Sequence, residues 1–125
     1  MNDRELLELA AKAAGVNLVS KMLLAFGGGE VEEYFNQFDD GRIGCWNPLT
    51  DDGDALRLAV KLRIGIEINQ RSVIACWVDG GYETKDVYEY PESVQDDDFD
   101  IVHVNHDKAT RRAIVRAAAE IGRNL

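Results

Sequence analysis

The sequence predicts an α+β domain in which helices layer on an antiparallel three- or four-stranded sheet, an α-β-α sandwich-like arrangement. Three observations carry that prediction. Apolar residues recur at helical spacing near both ends and again after Thr50, they alternate with a period of two over residues 64–68, and Asp79-Gly80-Gly81 offers a tight reversal between strand-like runs. At 125 residues the chain is a single domain by size, able to bury about two-thirds of the surface its unfolded form exposes.

In order along the chain, Asn2 and Glu5 have capping-box spacing, and Leu6, Leu9, Ala10 and Ala13 form a stripe that stops at Gly15, a good residue just past a helix end. Leu18, Val19, Met22, Leu23 and Phe26 suggest a second, apolar helix ended by Gly27-Gly28-Gly29. Val31, Tyr34, Phe35 and Phe38 then fall at i, i+3, i+4 and i+7, with Glu32, Glu33 and Asn36 opposite. The pair reads as a helical hairpin inserted near residues 17–40. Pro48 holds Asn47 extended, Trp46 anchors the entry, Thr50 is placed to cap a helix, and Asp51, Asp52 and Asp54 charge its first turn. That helix is expected to present Leu56, Ala59 and Val60 inward and Arg57 and Lys61 outward.

Ile64, Ile66 and Ile68 alternate as a half-buried strand does, and Ser72 to Val78 is apolar on both faces, as suits the centre of a sheet. Tyr82 to Tyr90 makes a third strand, with Tyr82, Thr84, Asp86, Tyr88 and Tyr90 on one side, its mixed polarity suggesting an edge. Pro91 to Asp100 reads as an acidic loop and Ile101 to Val104 as a short fourth strand. Asp107 is placed to cap the last helix, with Ile114, Ala118, Ile121 and Leu125 inward.

Three blocks of this sequence resemble the phage ABA-sandwich domain family of small phage and prophage proteins. They are the run from Trp46 to Leu62 (WNPLTDDGDALRLAVKL), the ending from Ala109 to Gly122 (ATRRAIVRAAAEIG) and the opening from Asp3 to Gly15 (DRELLELAAKAAG). The resemblance implies a layered α/β fold, a phage or prophage origin and hence a place of action in the bacterial host cytoplasm. It brings no assigned activity and no catalytic residues to carry over. Between Gly15 and Trp46 the chain is longer and more apolar than the family pattern.

The formal charge of −9 is unevenly spread, with ten acids and one base (Lys85) in residues 79–107 against five bases and one acid (Glu120) in residues 108–125. Phosphate contacts need cations in excess, so direct nucleic-acid binding is not expected. Cys45 and Cys76 follow no CxxC or zinc spacing and read as small buried hydrophobes of a reduced compartment. The longest apolar run, Leu18 to Phe26, is broken by Ser20 and Lys21, well short of the roughly 20 residues of a membrane span. No membrane association is expected.

Neither Asp40-Gly41 nor Asp52-Gly53 supplies the ligand pattern of a calcium loop, and Gly27-Gly28-Gly29 lacks the Lys-Ser/Thr of a phosphate cradle. The serines lie in no nucleophile-elbow context. No catalytic residues, no cofactor and no metal ligands are assigned, and a non-enzymatic protein is expected. One class of reading is therefore protein binding, to a host or phage protein or to a second copy. Its candidates are Leu23, Phe26, Tyr34, Phe35 and Phe38 on the apolar segment and Tyr82, Tyr88 and Tyr90 among the acids, a surface able to imitate nucleic acid or simply to solubilise. Inhibition of a host defence component is the activity that the phage context suggests. A second class is a binder of nucleotide-like small ligands, using Trp46 to stack and Arg57, Arg111 and Arg112 to meet phosphates. A third is a metal-dependent hydrolase built on Asp96, Asp97, Asp98, Asp100, His103 and His106, residue types that can ligate a divalent ion.

Overall fold

The fold is given by a computed structural model that describes residues 1–96 and 101–125. The elements run α1 (Asp3–Ala14), β1 (Leu18–Leu24), β2 (Glu30–Gln37), β3 (Ile43–Cys45), α2 (Asp52–Leu62), β4 (Gly65–Ile68), β5 (Val73–Asp79), β6 (Glu83–Glu89), β7 (Ser93–Asp96), β8 (Ile101–Val104) and α3 (His106–Arg123). The class is α+β. Two three-stranded antiparallel sheets, β1-β2-β3 and β4-β5-β6, are accompanied by a β7-β8 ladder, so Ile101 to Val104 is a strand but pairs outside the sheet it was expected to extend. The Asp79-Gly80-Gly81 reversal forms, with both glycines at positive φ.

The helix starts follow capping chemistry, with two shifts from expectation. Asn2 and Glu5 close the capping box of α1, and Gly15 ends it in the left-handed conformation. For α2 the cap is Asp51 rather than Thr50. Its backbone is extended and its carboxylate accepts from Asp54 N at 2.8 Å. For α3 the cap is Asn105 rather than Asp107, which contributes charge to the first turn instead. A capping side chain works only immediately before the first helical residue, so a neighbour one or two positions away supplies charge but no cap.

The core is built around α3, which rests on the inner face of β4-β5-β6 and packs along α1 and α2. Its buried face is small: Ala109, Ala113, Ala117, Ala118, Ala119 and Gly122, with Ile114 and Val115. Ile114 and Ala118 are inward as expected, Ile121 is half-buried and Leu125 is exposed. Gly122 permits the closest approach, because a Cβ there would lie 2.0 Å from the Leu9 carbonyl oxygen. Val73, Ala75 and Trp77 of β5 meet this helix layer, while Ile74 and Cys76 on the other side are half-buried and Val78 is exposed, so the strand is buried on one face rather than two.

In α2 the buried positions are Asp54, Ala55, Leu58 and Ala59, which reverses part of the expected pattern. Leu56 and Val60 face outward, 60 % and 70 % exposed. Asp54, the one buried charged residue among those described, explains the orientation. Its carboxylate accepts from Asn47 N at 3.0 Å and from Arg57 Nη2 at 2.7 Å, pinning the Trp46-Asn47-Pro48 entry to the first turn. Trp46 and Pro48 are buried beside it.

The helical hairpin expected near residues 17–40 is instead a β-hairpin. β1 and β2 pair in register from Leu18↔Asn36 to Leu24↔Glu30 around a turn in which Gly27, Gly28 and Gly29 all have positive φ. An i, i+4 spacing fits a strand, where it returns to the same face, as well as a helix. Val31 with Phe35 and Tyr34 with Phe38 are therefore consistent with both, and only the odd spacings, i+3 and i+7, favour a helix.

Candidate functional site

The sheet β1-β2-β3 joins the body at its base and projects beyond it. Leu18 and Tyr34 pack against the core, and Tyr34 lines a cleft of about 290 Å³ with Arg4, Glu8 and Lys12 of α1. The Tyr34 hydroxyl is pushed up to about 12, first by burial and then by the neighbouring Glu32 carboxylate. Arg4, 3.8 Å from Glu32, completes this link between helix and hairpin. Beyond it the arm leaves the core.

On that outer part, Met22, Leu23, Leu24, Phe26 and Val31 are all exposed, and Phe26 at the turn is fully so. Cross-strand partners share a face: Met22 and Leu24 lie on one, and Leu23↔Val31, Val19↔Phe35 and Phe35↔Cys45 on the other, where the Lys21↔Glu33 pair separates the first two. Ile43, exposed at the edge, extends this second face. Lys21 Nζ lies 5.9 Å from the centre of the Phe35 ring, and Arg42 stands 5.8 Å from that of Phe38. Charge is thus placed within the face and over the rings. Of the five candidates in this segment, Leu23, Phe26 and Phe38 are exposed, whereas Tyr34 and Phe35 are half-buried. Cys45 is exposed on this face, not a buried hydrophobe, and Cys76 is half-buried.

The tyrosines of the acidic segment occupy a separate surface. Tyr82, Tyr88 and Tyr90 are exposed on and beside β6, and the charge of Asp86 raises the Tyr88 hydroxyl above its ordinary value. The four ligand candidates do not converge. Trp46 is in the core, Arg57 is held by Asp54, and Arg111 binds the Leu49 carbonyl at 2.9 Å and Asp52 at 2.7 Å. Arg112 pairs with Asp3 and Glu89, both at 3.1 Å. Arg111 and Arg112 line different clefts, and neither Trp46 nor Arg57 lines either one.

Among the described residues no group of three or more His, Cys, Asp or Glu is placed to hold a metal ion. Residues 97–100, with Asp97, Asp98 and Asp100, lie outside them. His106 is committed elsewhere, its Nε2 lying 2.8 Å from the Asn69 carbonyl and 3.1 Å from that of Gln70. None of the helices among the described residues is long and apolar enough to cross a membrane.

Two groups of exposed residues lie outside the binding candidates expected from the sequence. Met22, Leu24 and Ile43 belong to the exposed arm, and the glycine triplet between two β-prone runs was the signal for it. Leu56, Val60, Ile66 and Ile68 form an exposed apolar patch across α2 and β4. Its signal was the second apolar stripe on α2, with Leu56 and Val60 one turn apart beside the stripe that faces inward. Comparison of the chain with known protein families, curated proteins and solved structures finds no match.

Proposed function

We propose that this chain is a non-enzymatic phage or prophage accessory protein that binds a protein of its bacterial host, or of the phage, in the cytoplasm through the projecting β1-β2-β3 arm. The observation that carries this reading is the exposed apolar run of Met22, Leu23, Leu24, Phe26 and Val31 on an arm that the core does not need. Exposed apolar side chains gathered at the end of an arm favour burial against a partner, and an aromatic side chain at the tip is the kind of anchor that dominates such contacts. The phage assignment rests on the three sequence blocks that resemble the ABA-sandwich family, and inhibition of a host defence component follows from that context.

The test is capture from bacterial lysate by the wild-type chain and by a Leu24→Ser/Phe26→Ser double variant. Both changes lie on exposed side chains, so the variant is expected to keep its melting temperature and to lose a protein that the wild type retains. Identical capture by the two chains, or no specific capture by the wild type, would overturn the proposal.

A further inference from the structure

The sheet β4-β5-β6 ends at β4, and that edge is poorly defended. Asn69 N donates to the Ser72 carbonyl at 2.8 Å, which makes this pair hydrogen-bonded. Alternation along the uninterrupted register then makes Glu67↔Ile74 and Gly65↔Cys76 hydrogen-bonded pairs as well. The N–H and carbonyl groups of Ile66 and Ile68 therefore point away from the sheet. Edges are usually blunted by lysine, proline, bulges or dense charge. β1 carries Lys21 at its middle, and β6 carries Glu83, Lys85, Asp86 and Glu89, with Arg116 donating to the Tyr88 carbonyl at 2.7 Å. β4 has only its length of four residues and Glu67, on the face away from the helices.

Below the open edge, α2 is uncovered. Leu56, Ile66, Ile68 and Ile114 border an apolar groove of about 350 Å³, and Val60 lies one turn beyond Leu56. Among the described residues none pairs with these backbone groups or covers this helix face, and together they describe the place of one further strand.

We propose that this strand is β4 of a second copy of the chain, the two pairing antiparallel about a twofold axis at Ile66 and joining the two sheets into one. The register follows from the residues. Centred on Ile66, each Ile66 exchanges N–H and carbonyl with the partner's Ile66, and the Ile68 N–H meets the partner's Ile64 carbonyl, the Ile64 N–H being given to the Ala59 carbonyl of its own chain at 2.9 Å, so isoleucines meet over the helix layer. On the other face Glu67 stands opposite the partner's Gly65, towards the α2 C-cap that carries the partner's Arg63, an opposite charge. A twofold axis one residue later would set Glu67 against the partner's Glu67. One later still would pair Ile66 with Gln70, which belongs to the β4–β5 turn.

Light scattering on the eluting full-length chain is expected to give twice the protomer mass of 13.9 kDa. Ile66→Lys, which sets two ammonium groups at the axis, is expected to give 13.9 kDa with an unchanged far-ultraviolet circular dichroism spectrum. In a Cys45→Ser/Cys76→Ala background, Ile66→Cys is expected to cross-link to dimer on mild oxidation, whereas Glu67→Cys is not. The arm variant Leu24→Ser/Phe26→Ser is expected to keep the dimer mass, which separates this proposal from the function of the arm. A monomeric wild type leaves the edge to some other strand and overturns the proposal. So does a dimer that survives Ile66→Lys, or one that cross-links through Glu67→Cys instead.

Discussion

Gly122 sets the tightest constraint on any single position. A methyl group there would meet the Leu9 carbonyl at 2.0 Å, and because the obstacle is backbone, the helices must separate to admit it. Gly122→Ala is expected to destabilise the fold by about 1–3 kcal/mol despite its favourable helix propensity, as measured by urea denaturation. Asp54 is constrained by its partners. Asp54→Ala orphans Asn47 N–H and releases Arg57, and the expected loss is about 1–3 kcal/mol. Tyr34 gives a pH signature. Its folded-state value of about 12 lies above the ordinary 10.0, so the contribution is fully present below pH 10.0 and disappears as pH rises through about 12. Tyr34→Phe should flatten that part of the alkaline denaturation curve, because the phenolic proton is then absent from both states.

Among the elements, the helices illustrate how far a cap can be read. The opening helix was legible at both ends because its box and its terminal glycine agree, although its buried stripe is Leu6, Leu7, Ala10, Ala11 and Ala14 with Leu9 and Ala13 only half-buried, whereas α2 and α3 each have their cap one or two residues from the expected one. Asp51→Ala is expected to cost about 1 kcal/mol and Thr50→Ala much less, a contrast that thermal denaturation of the two variants would display. The three strands from Gly65 to Glu89 were also legible, since a strict alternation and a two-glycine reversal leave little choice. The arm was not. Its residues satisfy helical spacing on paper, and only pairing between two separated runs, which is not local information, makes them strands. The same limit applies to the candidate surface. Leu23, Phe26 and Phe38 were identified from their apolar character, but their exposure depends on where the arm leaves the body. Leu56 and Val60 were assigned inward because α2 carries two apolar stripes, and the choice between them is made by Asp54.

Across the whole molecule, the uneven charge of the sequence becomes a set of bridges. The basic last helix lies against acids drawn from distant segments: Arg112 and Arg116 share Glu89, Arg111 holds Asp52, and Lys108 stands 3.7 Å from Glu92. Most of these side chains are partly exposed, so each contributes little alone, and their joint effect is to fix the lie of α3 over the sheet. The buried helix pair and β5 form the slow-opening centre, while the outer arm has few contacts to protect it. Hydrogen exchange is expected to be slowest at the amides of α1 and α3 and fastest between Lys21 and Glu33, with deuterium uptake of the corresponding peptides as the measure.

The separation of the arm from the core also governs how the chain changes over generations. Substitutions in its outer half touch nothing that holds the helices together, so purifying selection for foldedness has little grip there. Natural variation can therefore remodel the tip while the remainder stays bound by the demands of folding.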